Sequence, residues 1–208
     1  MRLDLLSIEQ HTSASYGPRT WANAAGADIT VAFAVDFTTA GELLTKRAAG
    51  DRYLAIDLGS GLKPIEAARL IYRECKRRSA RSVNVAGNGV YTLGKHGWSQ
   101  VEANAFVHAS LAKVHEFRPF EYVRSGGQTG IDLAGGIAGI AMDVPTTMLF
   151  PAGLRQRHVD KVDRLMSEIE IVGQVRDGLA ALLQPESRQP QCEAAVRSTA
   201  SFDDGPGM

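Results

Sequence analysis

Cysteine is scarce. The chain has Cys75 inside a helical pattern and Cys192 in a polar stretch, and two such positions build neither a disulfide framework nor a metal-ligand spacing. Charge of one sign is missing as well: 23 basic and 23 acidic residues cancel, so no overall field argues for a nucleic-acid backbone or an anionic membrane as partner. Long apolar runs are also lacking. Those near Val31 and Ile137 are short and interrupted, and the opening MRLDLLSIEQ carries charge where a signal peptide needs an apolar core. A cytoplasmic location with no membrane partner is the expectation. The five histidines, at 11, 96, 108, 115 and 158, show no ligand spacing. His108 and His115 share a helix face but have no third ligand in reach, so neither a metal nor a cofactor is called for. A nucleophile elbow and any cysteine–histidine or serine–histidine pairing are likewise missing.

What is present is a regular alternation of strand-length and helix-length patterns across a chain of 208 residues, enough for one domain with a real core. Residues 1–27 read as a lead-in with one short strand at Arg2–Leu6. ITVAFAV (29–35) has the continuous apolar character of a strand buried on both faces, and residues 39–50 read as a helix closed by Gly50. YLAIDL (53–58) is a second such strand. Pro64 suits the first turn of the next helix, and SVNVAG (82–87) is a third strand. A glycine-rich loop then runs to Ser99, which with Glu102 makes a capping box for a helix from Gln100 to about Glu116. FEYVR (120–124) and TTMLF (146–150) are two more strands, flanking a helix of small residues that can pack closely on a sheet. Helical periodicity follows over Arg157–Leu183, with Gly173 as a point of division. The alternation predicts an α/β fold, a Rossmann-like three-layer sandwich with a mainly parallel sheet, as a single domain over 1–183. Residues 184–208 lack apolar mass and are expected to form a disordered tail.

In such a sheet, ligands bind beyond the carboxyl ends of the strands. Three loops there carry residues that packing alone does not demand. The first is Ser125, Gly126, Gly127, Gln128, Thr129 and Gly130, followed by Asp132. Its glycines permit close approach of a phosphate, and its backbone N–H groups and the helix start supply positive partial charge. It matches neither the P-loop nor the dinucleotide GxGxxG spacing. The second loop, from Asp36 through Thr38, Thr39 and Gly41 to Glu42 and Thr45, again suits an anion at a helix start. Glu42 is the best-placed catalytic acid, with Asp132 and Asp36 as further candidates, although a first-turn glutamate is also explained by the helix dipole. The third loop offers Gly87 and Asn88, with Tyr91 and Trp98 to stack on a base and Lys95 and His96 as polar heads. Arg155, with Arg157 and Arg124, can clamp a phosphate or simply end a secondary element in solvent.

These residues carry a family resemblance. SGGQTGID with its small-residue helix, then VPTTMLFPAG, resembles the GGQTG segment of the YpsA-related and molybdenum-carrier group. That group lies within the Rossmann-like SLOG superfamily of LOG phosphoribohydrolases and the DNA-processing protein DprA. Arg19-Thr20-Trp21-Ala22-Asn23, ADITVAF, Thr38–Thr45, YLAIDL and SVNVAGNG resemble the later half of the same domain, but here they come first. Over about residues 19–155 the chain thus looks like a circularly permuted member. The resemblance implies that Gly126, Gly127, Thr129, Gly130 and Asp132 form a nucleotide-phosphate loop, and that Thr38, Thr39, Gly41 and Thr45 form the loop opposite. The LOG enzymes carry a PGGxGTxxE loop with a catalytic glutamate, whereas TTAGELL places Glu42 immediately after the glycine, so that role does not transfer directly. The carrier label requires no molybdenum, since molybdate or sulfate can occupy the same amide nest as phosphate.

The expected function is capture of a phosphate-bearing nucleotide-derived ligand, a nucleoside phosphate or an ADP-ribose type, by a sensor, carrier or sequestering protein. The alternative is a hydrolase cleaving an N-glycosidic or phosphoester bond in such a ligand. A ligand-free interaction module is a third class, and the small-residue faces make a homodimer plausible.

Overall fold

The computed structural model describes residues 2–183, so the expected tail at 184–208 lies outside the described residues. In chain order the first half holds β1 (Leu6–Gln10), α1 (Tyr16–Ala25), β2 (Ile29–Ala34), α2 (Ala40–Ala49), β3 (Tyr53–Asp57), α3 (Pro64–Arg78) and β4 (Ser82–Gly87). The second half holds α4 (Val90–Lys95), α5 (Gln100–Phe117), β5 (Tyr122–Ser125), α6 (Ile131–Ala141), β6 (Thr146–Phe150), β7 (Arg155–Arg157), β8 (Asp163–Leu165) and α7 (Glu168–Leu183).

Six strands form one sheet in the order β1-β6-β5-β4-β2-β3, with every neighbouring pair parallel. The direction of each crossover decides which face its helix covers. From β1 to β2 and from β2 to β3 the chain steps one way across the sheet, and from β3 through β4 and β5 to β6 it steps back. Right-handed connections therefore put α1 and α2 on one face and α3, α5 and α6 on the other. The packing agrees: α1 lies against α2, while α3, α5, α6 and α7 form a continuous layer opposite. The result is a Rossmann-like three-layer sandwich. Among the described residues no helix is long and apolar enough to cross a membrane.

The two faces differ in chemistry. Toward α3, α5 and α6 the strands present Val31, Phe33, Val83, Val85 and Val123, which join Leu111, Ile131 and Ala134 in the main core. The helix α6 lies directly on this face, because its glycines leave no room for a side chain: a Cβ on Gly135 would overlap Val85, and one on Gly136 would overlap Met148. Toward α1 and α2 the register sets Thr30 beside Asn84, Asn84 beside Arg124, Arg124 beside Thr147 and Thr147 beside Ser7. In-register neighbours of parallel strands share a face, so a polar row crosses the sheet beneath α1 and α2.

Four expectations need correction. The first strand is Leu6–Gln10 rather than Arg2–Leu6: Leu3–Leu5 make a 3₁₀ turn, and Leu6 to Gln10 pair with Thr146 to Phe150. The lead-in contains α1, whose Gly17 and Pro18 fall in the first turn, where a missing N–H costs no helical bond. Val90–Lys95 is helical within the supposed loop. Residues 155–165 form the antiparallel β7–β8 ribbon instead of extending the last helix, which starts at Glu168 and passes through Gly173 without interruption.

Candidate functional site

β2 is flanked by β3 on one side and β4 on the other, and the chain leaves it in one direction only to return on the other. The segments that follow β2 and β4 therefore diverge and open a crevice at the carboxyl edge, the topological switch point of the sheet. A cavity of about 570 Å³ opens there and continues between α1 and α2 down to the polar row at Asn84. Its size falls within the range of small-molecule sites.

The Ser125–Asp132 segment forms one wall, but most of its side chains are occupied within the protein. The Ser125 hydroxyl donates to the Asp132 carbonyl at 2.7 Å, and the Thr129 hydroxyl donates to the Arg157 carbonyl at 2.6 Å. The Gln128 side chain donates to the Arg155 carbonyl and accepts the Arg157 N–H, both at 2.8 Å, so it docks the β7–β8 ribbon. Gly130 N–H donates to Gln100 Oε1 at 2.6 Å. Gly126, Gln128, Thr129 and Asp132 are what the segment offers the cavity. A Cβ on Gly126 would overlap the Arg19 guanidinium and the Asp132 carboxylate; one on Gly127, at φ 69°, would overlap the Phe150 ring. The loop glycines therefore answer first to packing.

Asp132 and Arg19 form a buried ion pair at 2.8 Å, with side chains 8% and 11% exposed. Burial pushes the Asp132 carboxyl up, and Arg19 and the Gln128 N–H pull it back. Across the cavity, Thr39 caps α2 by accepting the Glu42 N–H at 3.3 Å, and the Thr45 hydroxyl donates to the Gly41 carbonyl at 3.0 Å. This cap turns the Glu42 side chain into the interior, where the Tyr53 hydroxyl donates to its Oε2 at 3.2 Å. Burial raises the Glu42 carboxyl to about 7; the Tyr53 hydroxyl opposes the shift, and the negative Asp132 and Asp36 add to it. Asp36 itself is outside the cavity and is held below the usual carboxylate range by the hydroxyl and N–H of Thr38.

The third loop is braced by Asn88, whose side chain accepts the N–H groups of Val35 and Asp36 and donates to the Asp36 carbonyl, each at 2.9 Å. Tyr91 stands at the mouth with Lys161 4.1 Å and Lys95 4.7 Å from its ring centre, and both cations hold its hydroxyl below the ordinary tyrosine range. On the opposite side of the mouth Arg157 lies 5.2 Å from the Tyr16 ring and pairs with Asp163 at 2.7 Å. The mouth is cationic and the interior carries both carboxyl groups.

The structure thus brings Thr39, Gly41, Glu42, Thr45, Gly87, Asn88, Tyr91, Gly126, Gln128, Thr129 and Asp132 to one cavity. It places Asp36, Thr38, Ser125, Gly127, Gly130, Trp98 and Arg155 outside the lining. Trp98 meets Phe106 edge-on at 5.6 Å and packs against the main core, so it anchors its loop, and Arg155 faces Asp163 at 3.9 Å. Arg19, Asn84, Tyr16 and Lys161 line the cavity without having been singled out as site residues from sequence. One signal existed: Asn84 is a polar residue set between two valines in the strand SVNVAG. No protein-family model, curated protein or solved structure matches the chain.

Proposed function

We propose that the chain binds a phosphate-bearing nucleotide-derived ligand, a nucleoside phosphate or an ADP-ribose type, as a sensor, carrier or sequestering protein. The observation that carries the reading is the cavity at the switch point, with glycine-containing segments after β2, β4 and β5 on its walls and Arg157 and Lys161 at its mouth. The backbone N–H group at Thr129, together with these cations, suits a phosphate at the mouth. The reading includes the family resemblance and its circular permutation. In support, two segments far apart in sequence face each other across the cavity, so their order in the chain is immaterial to the site.

A hydrolase of the same ligand is the second reading, and Glu42 favours it. A carboxyl raised to about 7 exchanges its proton near neutral pH and can serve as acid or base at a glycosidic or phosphoester bond. Native mass spectrometry of protein purified from cells, followed by denaturing analysis of whatever is released, tests the binding reading. A nucleotide-type mass at one per chain is expected, and an empty protein that also ignores a panel of nucleoside phosphates sinks it. Turnover of the captured compound that disappears in Glu42→Gln while capture persists would select the second reading.

A further inference from the structure

The cavity reaches the polar row beneath α1 and α2 at Asn84, and on this floor Asn84 of β4 and Arg19 of α1 each hold a buried polar atom with nothing to bond. Asn84, 2% exposed, donates its amide to the Thr30 hydroxyl at 3.2 Å, but its Oδ1 has no partner. Arg19, 9% exposed, gives one terminal nitrogen to Asp132, but its Nε has no partner. An unpaired buried acceptor and an unpaired buried donor are each costly, and both belong to residues lining the same cavity. Glu42 and Asp132 line it too.

We infer that this floor recognises the hydroxyl groups of a sugar ring, specifically the ribose of the ligand proposed above, on which reading this inference rests. A hydroxyl donates and accepts, so a ring bearing two of them meets both the Asn84 oxygen and the Arg19 Nε. A phosphate is disfavoured at the floor, where two carboxyl groups, Asp132 and Glu42, face the one guanidinium of Arg19. A nucleobase lacks a free tyrosine platform there: the two tyrosine rings of the lining, Tyr16 and Tyr91, are both covered by cations. The ligand therefore sits sugar-inward, with phosphate toward Arg157 and Lys161.

Calorimetric titration of the full chain with adenosine 5′-monophosphate, its 2′-deoxy and 2′,3′-dideoxy counterparts and inorganic phosphate tests the orientation. Loss of both hydroxyls is expected to weaken binding at least about tenfold, since it leaves buried polar groups unpaired. Asn84→Val is expected to weaken the ribonucleotide by a similar factor while leaving the dideoxynucleotide unchanged, collapsing the ratio between them. Equal affinity of the ribo and dideoxy compounds for the unaltered chain would overturn the sugar floor and leave nucleotide binding standing. Failure of every nucleotide to bind would overturn both.

Discussion

Glu42 shows how one side chain can link stability to a site. It is 2% exposed and its carboxyl is raised from 4.5 to about 7, chiefly by burial. A carboxyl raised on folding stabilises the folded form fully only below its unfolded value, and that contribution is lost as pH rises through the folded one. Between about pH 4.5 and 7 the folded chain holds the extra proton, so stability falls with rising pH across that window. The loss is on the order of 3 kcal/mol. Glu42→Gln keeps an acceptor for the Tyr53 hydroxyl and removes the titration. Denaturant unfolding should therefore find the variant more stable than the parent by about 2–3 kcal/mol at pH 8 and nearly equal to it at pH 4. Parallel curves for the two proteins from pH 4 to 9 would show that Glu42 is not held neutral. A buried carboxyl that costs stability, beside a buried Arg19–Asp132 pair of a kind that adds little to stability, is better explained by a ligand than by folding.

At the scale of elements, α6 and α7 assign opposite values to the same substitution. Gly135 lies on the sheet with Val85 where its Cβ would go, whereas Gly173 in α7 has nothing within 4 Å of that position. Alanine favours both helices by about 1 kcal/mol. At Gly135 the overlap should outweigh this and leave a net loss of about 1–3 kcal/mol; at Gly173 the helical gain should remain. Thermal unfolding of the two variants checks the pair, and a stabilised Gly135→Ala would mean that α6 does not rest on β4 as described.

The same contrast explains what could be read from sequence. ITVAFAV, SVNVAG and the small-residue run after Gly130 announced β2, β4 and α6, because strands and helices buried on both sides need continuous apolar or small residues. α1 and α2 stayed obscure, or looked like ordinary amphipathic helices, because the face they cover is polar. Arg19, Asn23, Glu42 and Thr45 are buried, a pattern that hydrophobic periodicity misreads as exposed. The site was legible where glycine marked it and hidden where the contributors were a helix or ribbon remote in sequence, as with Arg19 and Lys161. Ser125, Gln128 and Thr129 were legible as special, but their side chains bind the protein itself.

Over the whole molecule, zero net charge means that capture depends on the cavity and not on a long-range field, so blocking the cavity alone should abolish it. Gly41 is the position for this. It lines the cavity in the first turn of α2, and a Cβ there meets nothing within 4 Å. Gly41→Trp should fold with a melting temperature close to that of the parent, since removing a helical glycine is mildly favourable and the Cβ has open space. A nucleotide at one hundred times its dissociation constant stabilises the folded chain by about 2.7 kcal/mol, which for a domain of this size raises the melting temperature by roughly 5–10 °C. The parent should show that rise and Gly41→Trp should not. If the variant keeps it, the nucleotide is bound elsewhere on the surface and the unpaired Asn84 and Arg19 serve some other ligand. If the variant loses it at an unchanged melting temperature, binding is assigned to the switch-point cavity, which Gly41 lines.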